Sequence, residues 1–152
     1  MNITVICVGG IKEKFYKDAC NEYIKRLGRF GKIRVTEVAE VKGKDRQDIE
    51  KEGKAILKAI PKGSYIIALC VEGGKMSSEK LAEKINTLSL SSVGEMTFII
   101  GGSDGLSDEV KAAADYSLSF SEMTFPHMLM RVMLLEQIYR AFTIIEGSSY
   151  HK

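Results

Sequence analysis

The sequence predicts an α/β fold, a mostly parallel sheet flanked by helices, and three observations lead there. Short apolar runs rich in β-branched residues alternate with segments whose apolar positions recur at helical spacing. The joints between them are short and carry glycine, serine or aspartate. The run at 3–8 is apolar at almost every position rather than at every second one, as a strand covered on both faces is. Strand-then-helix alternation of this kind is satisfied by a parallel sheet with helices on both sides. With 152 residues, 45% of them hydrophobic, the chain can fill one packed core but not two, so 1–152 is read as a single domain.

The first strand, 3–8, ends at Gly9-Gly10. A helix over 14–27 follows, with Tyr16, Cys20, Ile24 and Leu27 on one stripe and Phe15, Ala19 and Tyr23 beside it. Residues 33–41 are β-branched enough for a second strand, and Asp45 can cap a helix whose Ile49, Gly53, Ile56, Leu57 and Ile60 share a face before Pro61 ends it. The third strand is expected over 65–71, with 72–75 as its loop, Ser77 as an N-cap, and Leu81, Ile85 and Leu88 as the next helical stripe. The fourth strand, 96–100, meets a glycine-rich loop at 101–105, and Ser107 caps a short helix with Asp108 and Glu109 in its first turn. A fifth strand over 116–120 and a loop over 121–125 lead to Pro126, placed as the first residue of a helix that runs to about Glu146.

Several function classes fall away. No basic region or cleavage site precedes the first apolar run, so a secretory signal is not expected and a cytoplasmic protein is. Cys7, Cys20 and Cys70 have no spacing suited to zinc or a redox couple and are read as small core residues. The segment 125–145 has the length to span a bilayer, but Arg131, Glu136 and Arg140 inside it would cost several kcal/mol in lipid, so no membrane partner is expected. Eight basic residues against three acidic between Lys12 and Arg34 give a local +5 and leave −3 for the rest of a chain whose total is +2. That is a modest footprint for a polyanion, and a solvated helix face explains it nearly as well.

In parallel sheets ligands bind beyond the carboxyl ends of the strands, which directs attention to the loops after Val71, Ile100 and Phe120. The run Gly101-Gly102-Ser103-Asp104-Gly105 matches neither the dinucleotide spacing nor a P-loop, and Asp104 would repel phosphate but not a phosphate-free cofactor with a positive centre. A tight turn before a helix accounts for the run equally well. The segment 119–127 mixes apolar side chains with hydroxyls, which suits a heteroaromatic ligand such as adenine or ordinary packing. The last helix is apolar on nearly every face, and a second copy of the chain is the simplest cover for the side that does not meet the sheet. The tail, with Tyr150, His151 and Lys152, is on composition a solvated end; its functional reading is stacking on a base, with an imidazole and a cation for phosphate or proton transfer.

Taken together, 98–106, 118–127, Arg131-Val132, 136–141 and Tyr150-His151-Lys152 closely resemble the RlmH family of SPOUT-class methyltransferases, over essentially the whole chain. The resemblance implies a C-terminal part threaded as a trefoil knot, a homodimer, S-adenosylmethionine as methyl donor, and methylation of N3 of a pseudouridine in helix 69 of 23S ribosomal RNA within assembled ribosomes. Carried over by position, it places cofactor contacts on Leu69, Gly101, Phe120, Ser121, Glu122, Met123, Thr124 and Phe125. It places Arg140, Tyr150 and His151 in catalysis and Lys152 against substrate, completing the partner subunit's site. Members commonly carry Asn-His-Pro before the Tyr-His pair, where this chain has Gly147-Ser148-Ser149.

Methyl transfer from sulfonium to nitrogen calls mainly for alignment and for no metal, while the imide N3 must lose a proton, for which His151 is the candidate base and Tyr150 the group that positions the nucleobase. With little net charge and no familiar RNA-binding module, the chain is expected to read the assembled ribosome by shape. Two alternatives remain from other classes: a nucleotide- or ribosome-binding module without turnover, and a dinucleotide-dependent oxidoreductase, which the glycine spacing and Asp104 disfavour.

Overall fold

The computed structural model describes residues 1–42 and 45–152. Its elements alternate as the sequence predicts: β1 (Asn2–Val8), α1 (Lys14–Leu27), β2 (Ile33–Val38), α2 (Arg46–Ala59), β3 (Tyr65–Lys75), α3 (Ser78–Leu90), β4 (Glu95–Ile100), α4 (Asp108–Ala113), β5 (Tyr116–Ser119) and α5 (His127–Ile145). The five strands form one parallel sheet in the order β2-β1-β4-β3-β5. β1, the strand that reads as apolar on both faces, lies beside β4 within it, and neither is at an edge.

Alternation along β1 sorts its side chains between two cores. Ile3, Val5 and Cys7 face the layer of α1, α3 and α5, where Phe98, Leu134, Leu135 and Ile138 are fully buried. Ile6 and Val8 face α2 and α4, against Ile56, Ile99 and Val110. Removing a side chain such as Phe98 from this packing costs about 3–5 kcal/mol. Cys7 and Cys20 are buried among these residues, and loss of solvent pushes the Cys7 thiol up to about 12. Cys70 is different: it is half-buried and belongs to the site described below.

The helix starts follow from their caps. Asp45 accepts from the Asp48 N–H at 3.0 Å, Ser77 from Lys80 at 3.2 Å and Ser107 from Val110 at 3.2 Å, as short polar side chains do at N-caps. Four expectations are corrected. β2 stops at Val38, three residues short of 41, after its last pair with Val8. Residues 72–75 are not a loop but the end of β3, where Gly74 and Lys75 pair again with β5 after a break in register. Pro126 is the N-cap, with φ −54° and ψ 135°, so α5 begins at His127. The tail is not a loose end, because Tyr150 and His151 are packed and hydrogen-bonded.

Candidate active site

The cavity arises where the sheet comes apart. β3 and β4 pair only as far as Ala68 and Ile99, after which the two strands separate. β3 still follows β5, but Leu69 and Gly74 both face Leu118, so 70–73 bulge out of the ladder. Gly73 is required in that bulge, since a Cβ there would lie 2.7 Å from the Ser117 carbonyl oxygen. The gap is a cavity of about 540 Å³, within the range of small-molecule sites. Its walls come from the three strand ends named by sequence: Leu69 to Glu72, Ile100 with the turn after it, and Leu118 with the 120–125 loop. Pro126, His127 and Met130 close it from the start of α5.

The glycine-rich run is both things the sequence allowed, a tight turn and a wall. The Gly105 N–H donates to the Gly102 carbonyl at 3.1 Å, and a Cβ on Gly101 would come within 2.8 Å of the Gly105 carbonyl. Across the cavity, Ser119 Oγ donates to the Ser121 carbonyl and the Met123 N–H to Ser121 Oγ, both at 3.0 Å, which shapes the loop from within. The N–H groups of Glu122, Thr124 and Phe125 make no hydrogen bond within the described residues and remain donors for a ligand. Among the lining residues only Glu72 and Lys111 carry a formal charge, and they pair at 2.6 Å. The Lys111 ammonium holds the Glu72 carboxyl below its ordinary value, and Glu72 in turn raises Lys111.

A second cluster forms at the far end of α5. Arg140 pairs with Glu136 at 2.7 Å and lies 4.9 Å from the centre of the Tyr150 ring, which packs edge-on against Tyr139. The Tyr150 hydroxyl donates to Glu136 Oε1 at 3.2 Å. Burial and the Glu136 charge push that phenol above its usual value, so it stays a donor at neutral pH. The imidazole of His151 lies between Arg140 Nη1, 3.2 Å from Nδ1, and Glu79 Oε1, 2.9 Å from Nε2. A guanidinium can only donate, so neutral His151 accepts at Nδ1 and donates from Nε2 to Glu79. Glu79 itself is drawn down to about 2, first by its own backbone N–H and then by His151 and Ser77.

The family described as "Predicted SPOUT methyltransferase" matches residues 1–151. The "Putative ribosomal RNA large subunit methyltransferase H" of Methanococcus maripaludis is 52% identical, over all of both chains. The proteins named "Ribosomal RNA large subunit methyltransferase H" from Bifidobacterium adolescentis and Clostridium kluyveri are 52% and 50% identical, again over all of each chain. The chain belongs to the RlmH family of SPOUT methyltransferases. A solved structure of a probable methylase family protein from Haemophilus influenzae Rd KW20 shares the fold, with a TM-score of 0.54 at 14% identity, over 95% of this chain and 66% of that one.

This RlmH-family chain brings seven of the eight residues proposed for the cofactor around one cavity: Leu69, Gly101, Phe120, Ser121, Met123, Thr124 and Phe125. Glu122 is the exception, since its side chain is turned to solvent and pairs with Lys75 at 2.9 Å. The apolar walls, the Gly101 approach that a Cβ would fill, and the unpaired loop donors fit an adenine-bearing, phosphate-free methyl donor. Arg140, Tyr150 and His151 come together, but neither they nor Lys152 line the cavity of their own chain. From Met130 at its wall to Arg140 is roughly 15 Å along the helix axis. Sequence reasoning placed the loop after Val71 and the segment ending at His127 near a ligand but gave no role to Cys70, Glu72 or Lys111; placing Glu72 and Lys111 together requires knowing that β3 carries its bulge next to α4. No group of three or more His, Cys, Asp or Glu among the described residues could hold a metal ion, and no helix among them is long and apolar enough to cross a membrane.

Proposed function

We propose that this protein transfers a methyl group from S-adenosylmethionine to large-subunit ribosomal RNA, and that the acceptor is N3 of a pseudouridine in helix 69 of 23S rRNA on assembled ribosomes, in the cytoplasm. The observation that carries the reading is the cavity itself: a glycine-shaped, largely apolar niche at three strand ends, in a chain whose relatives are named as ribosomal RNA large subunit methyltransferases. A bound donor supplies a methyl group on a sulfonium whose departure leaves a neutral thioether. The chain's own work is alignment: Leu69, Phe120 and Phe125 exclude water while the N–H groups of Glu122, Thr124 and Phe125 orient the base. With the donor bound, N3 would give up its proton to a base of the chain and accept the methyl group in place of that proton.

His151 is the proposed base and Tyr150 the proposed positioning group, with Arg140 holding both. In the resting arrangement both imidazole nitrogens of His151 are engaged, by Arg140 and Glu79, so accepting the N3 proton requires the Arg140 contact to open first. Because these groups lie off their own cavity, we assign them to the site of a second subunit, in a homodimer that also covers the half-exposed apolar stripe of Met128, Leu129, Val132 and Met133 on α5. The C-terminal part is proposed to be threaded as a knot, and the chain is taken to act as one domain.

Purified protein, labelled S-adenosylmethionine and unmodified ribosomes provide the test. Label in 23S rRNA that nucleoside mass spectrometry resolves as N3-methylpseudouridine is expected, with isolated stem-loop RNA a poor acceptor. Donor binding without transfer would leave a binding module, and equal transfer to the free stem-loop would remove shape reading of the ribosome.

A further inference from the structure

In a cavity with mainly apolar walls, Glu72 and Lys111 form an opposed charge pair, and no other lining side chain is formally charged. The two come from different elements, the bulged end of β3 and helix α4, so the pairing is produced by the tertiary fold rather than by helical neighbours. Both remain partly open, with side-chain exposures of 64% for Glu72 and 37% for Lys111, so a ligand can reach either partner without entering the core. Taken as a structural bridge alone, a pair this exposed contributes little to stability. Its position at a ligand cavity asks for a ligand that carries both signs within a few ångströms.

We infer that Glu72 and Lys111 form a bracket for the α-amino acid end of the nucleoside ligand, Lys111 taking the carboxylate and Glu72 the ammonium group. This inference rests on the reading that S-adenosylmethionine occupies the cavity, and it adds the residues that read the ligand's amino acid portion. The apolar walls and loop donors suit the adenine and sulfur parts, and neither offers a counter-charge to a zwitterion. On binding, the bracket exchanges one internal ion pair for two charge-assisted contacts to the ligand, so no charge is left unpaired.

The test compares two ligands of the same nucleoside by calorimetry: S-adenosylhomocysteine, which has the amino acid end, and 5′-methylthioadenosine, which lacks it. Lys111→Met is expected to weaken S-adenosylhomocysteine about tenfold and to leave methylthioadenosine within about twofold; Glu72→Gln should act in the same sense with a smaller change. Thermal melting shows whether each variant is folded, and the second variant stands in if the first is not. Equal losses for both ligands, or no loss for either, overturn the bracket while leaving the cavity as the cofactor site. Failure of the unaltered protein to bind either nucleoside overturns the cavity reading and the bracket together.

Discussion

The two ends of α5 are built on different principles. At its start, the cavity is shaped by main chain: a parting of two strands, a bulge that only Gly73 tolerates, and a turn against which Gly101 packs within van der Waals contact. At its end, the Glu136–Arg140–Tyr150–His151–Glu79 cluster is held by side-chain hydrogen bonds and charge, with little regular backbone beyond the helix. A site made of backbone resists most substitutions and fails where a Cβ is added. A site made of polar side chains fails by single-atom changes and by protonation. The first suits holding a ligand common to many enzymes, and the second suits contact with a particular acceptor.

The largest effect should come from filling the backbone site. Gly101→Val places a Cβ within 2.8 Å of the Gly105 carbonyl and is expected to weaken S-adenosylhomocysteine on the order of 100-fold, with methyl transfer at background and a folded protein by circular dichroism. Unchanged affinity would break the contrast at its root. Next comes the tail: His151→Ala should lower transfer to ribosomes about 100-fold while S-adenosylhomocysteine affinity moves less than about twofold. Equal loss of binding and turnover would show that the two regions are one site within a single chain.

The smallest effect is on stability against acid. Glu79 has its folded pKa depressed from 4.5 to about 2, so its contribution is complete above about pH 4.5 and disappears as pH falls toward 2. Chemical unfolding followed between pH 6 and pH 2 should therefore show a shallower acid decline for Glu79→Gln than for the unaltered chain, and identical slopes would remove Glu79 from the tail's support.

Much of this was legible in the residues. The run of β1, apolar at nearly every position, marked a strand covered on both faces, and Asp45, Ser77 and Ser107 marked helix starts because their side chains can satisfy an N–H two or three residues on. The three strand ends at the cavity follow from parallel-sheet geometry. Glu72-Gly73-Gly74-Lys75 misled because two glycines weaken a strand in isolation, whereas here β5 supplies a partner on the far side of a bulge. The tail misled for a related reason: composition cannot show that Tyr139, Glu136 and Glu79 are waiting for Tyr150 and His151. Leu69 was placed at a site only by resemblance, since a leucine carries no chemistry of its own, whereas Gly101 already stood in the candidate loop after Ile100.

The strand order has a consequence for how the molecule is made. Asn2 lies beside Glu95, so the interior strand synthesised first waits for the fourth before its second edge is occupied, while β3 has β4 and β5 for neighbours and both come later. A nascent chain halted before β4 can join β1 only to β2 and leaves β3 with no partner at all. Vectorial synthesis therefore completes the ligand niche late, once β5 and the start of α5 have emerged, and until β4 is made β3 has no neighbouring strand to pair with.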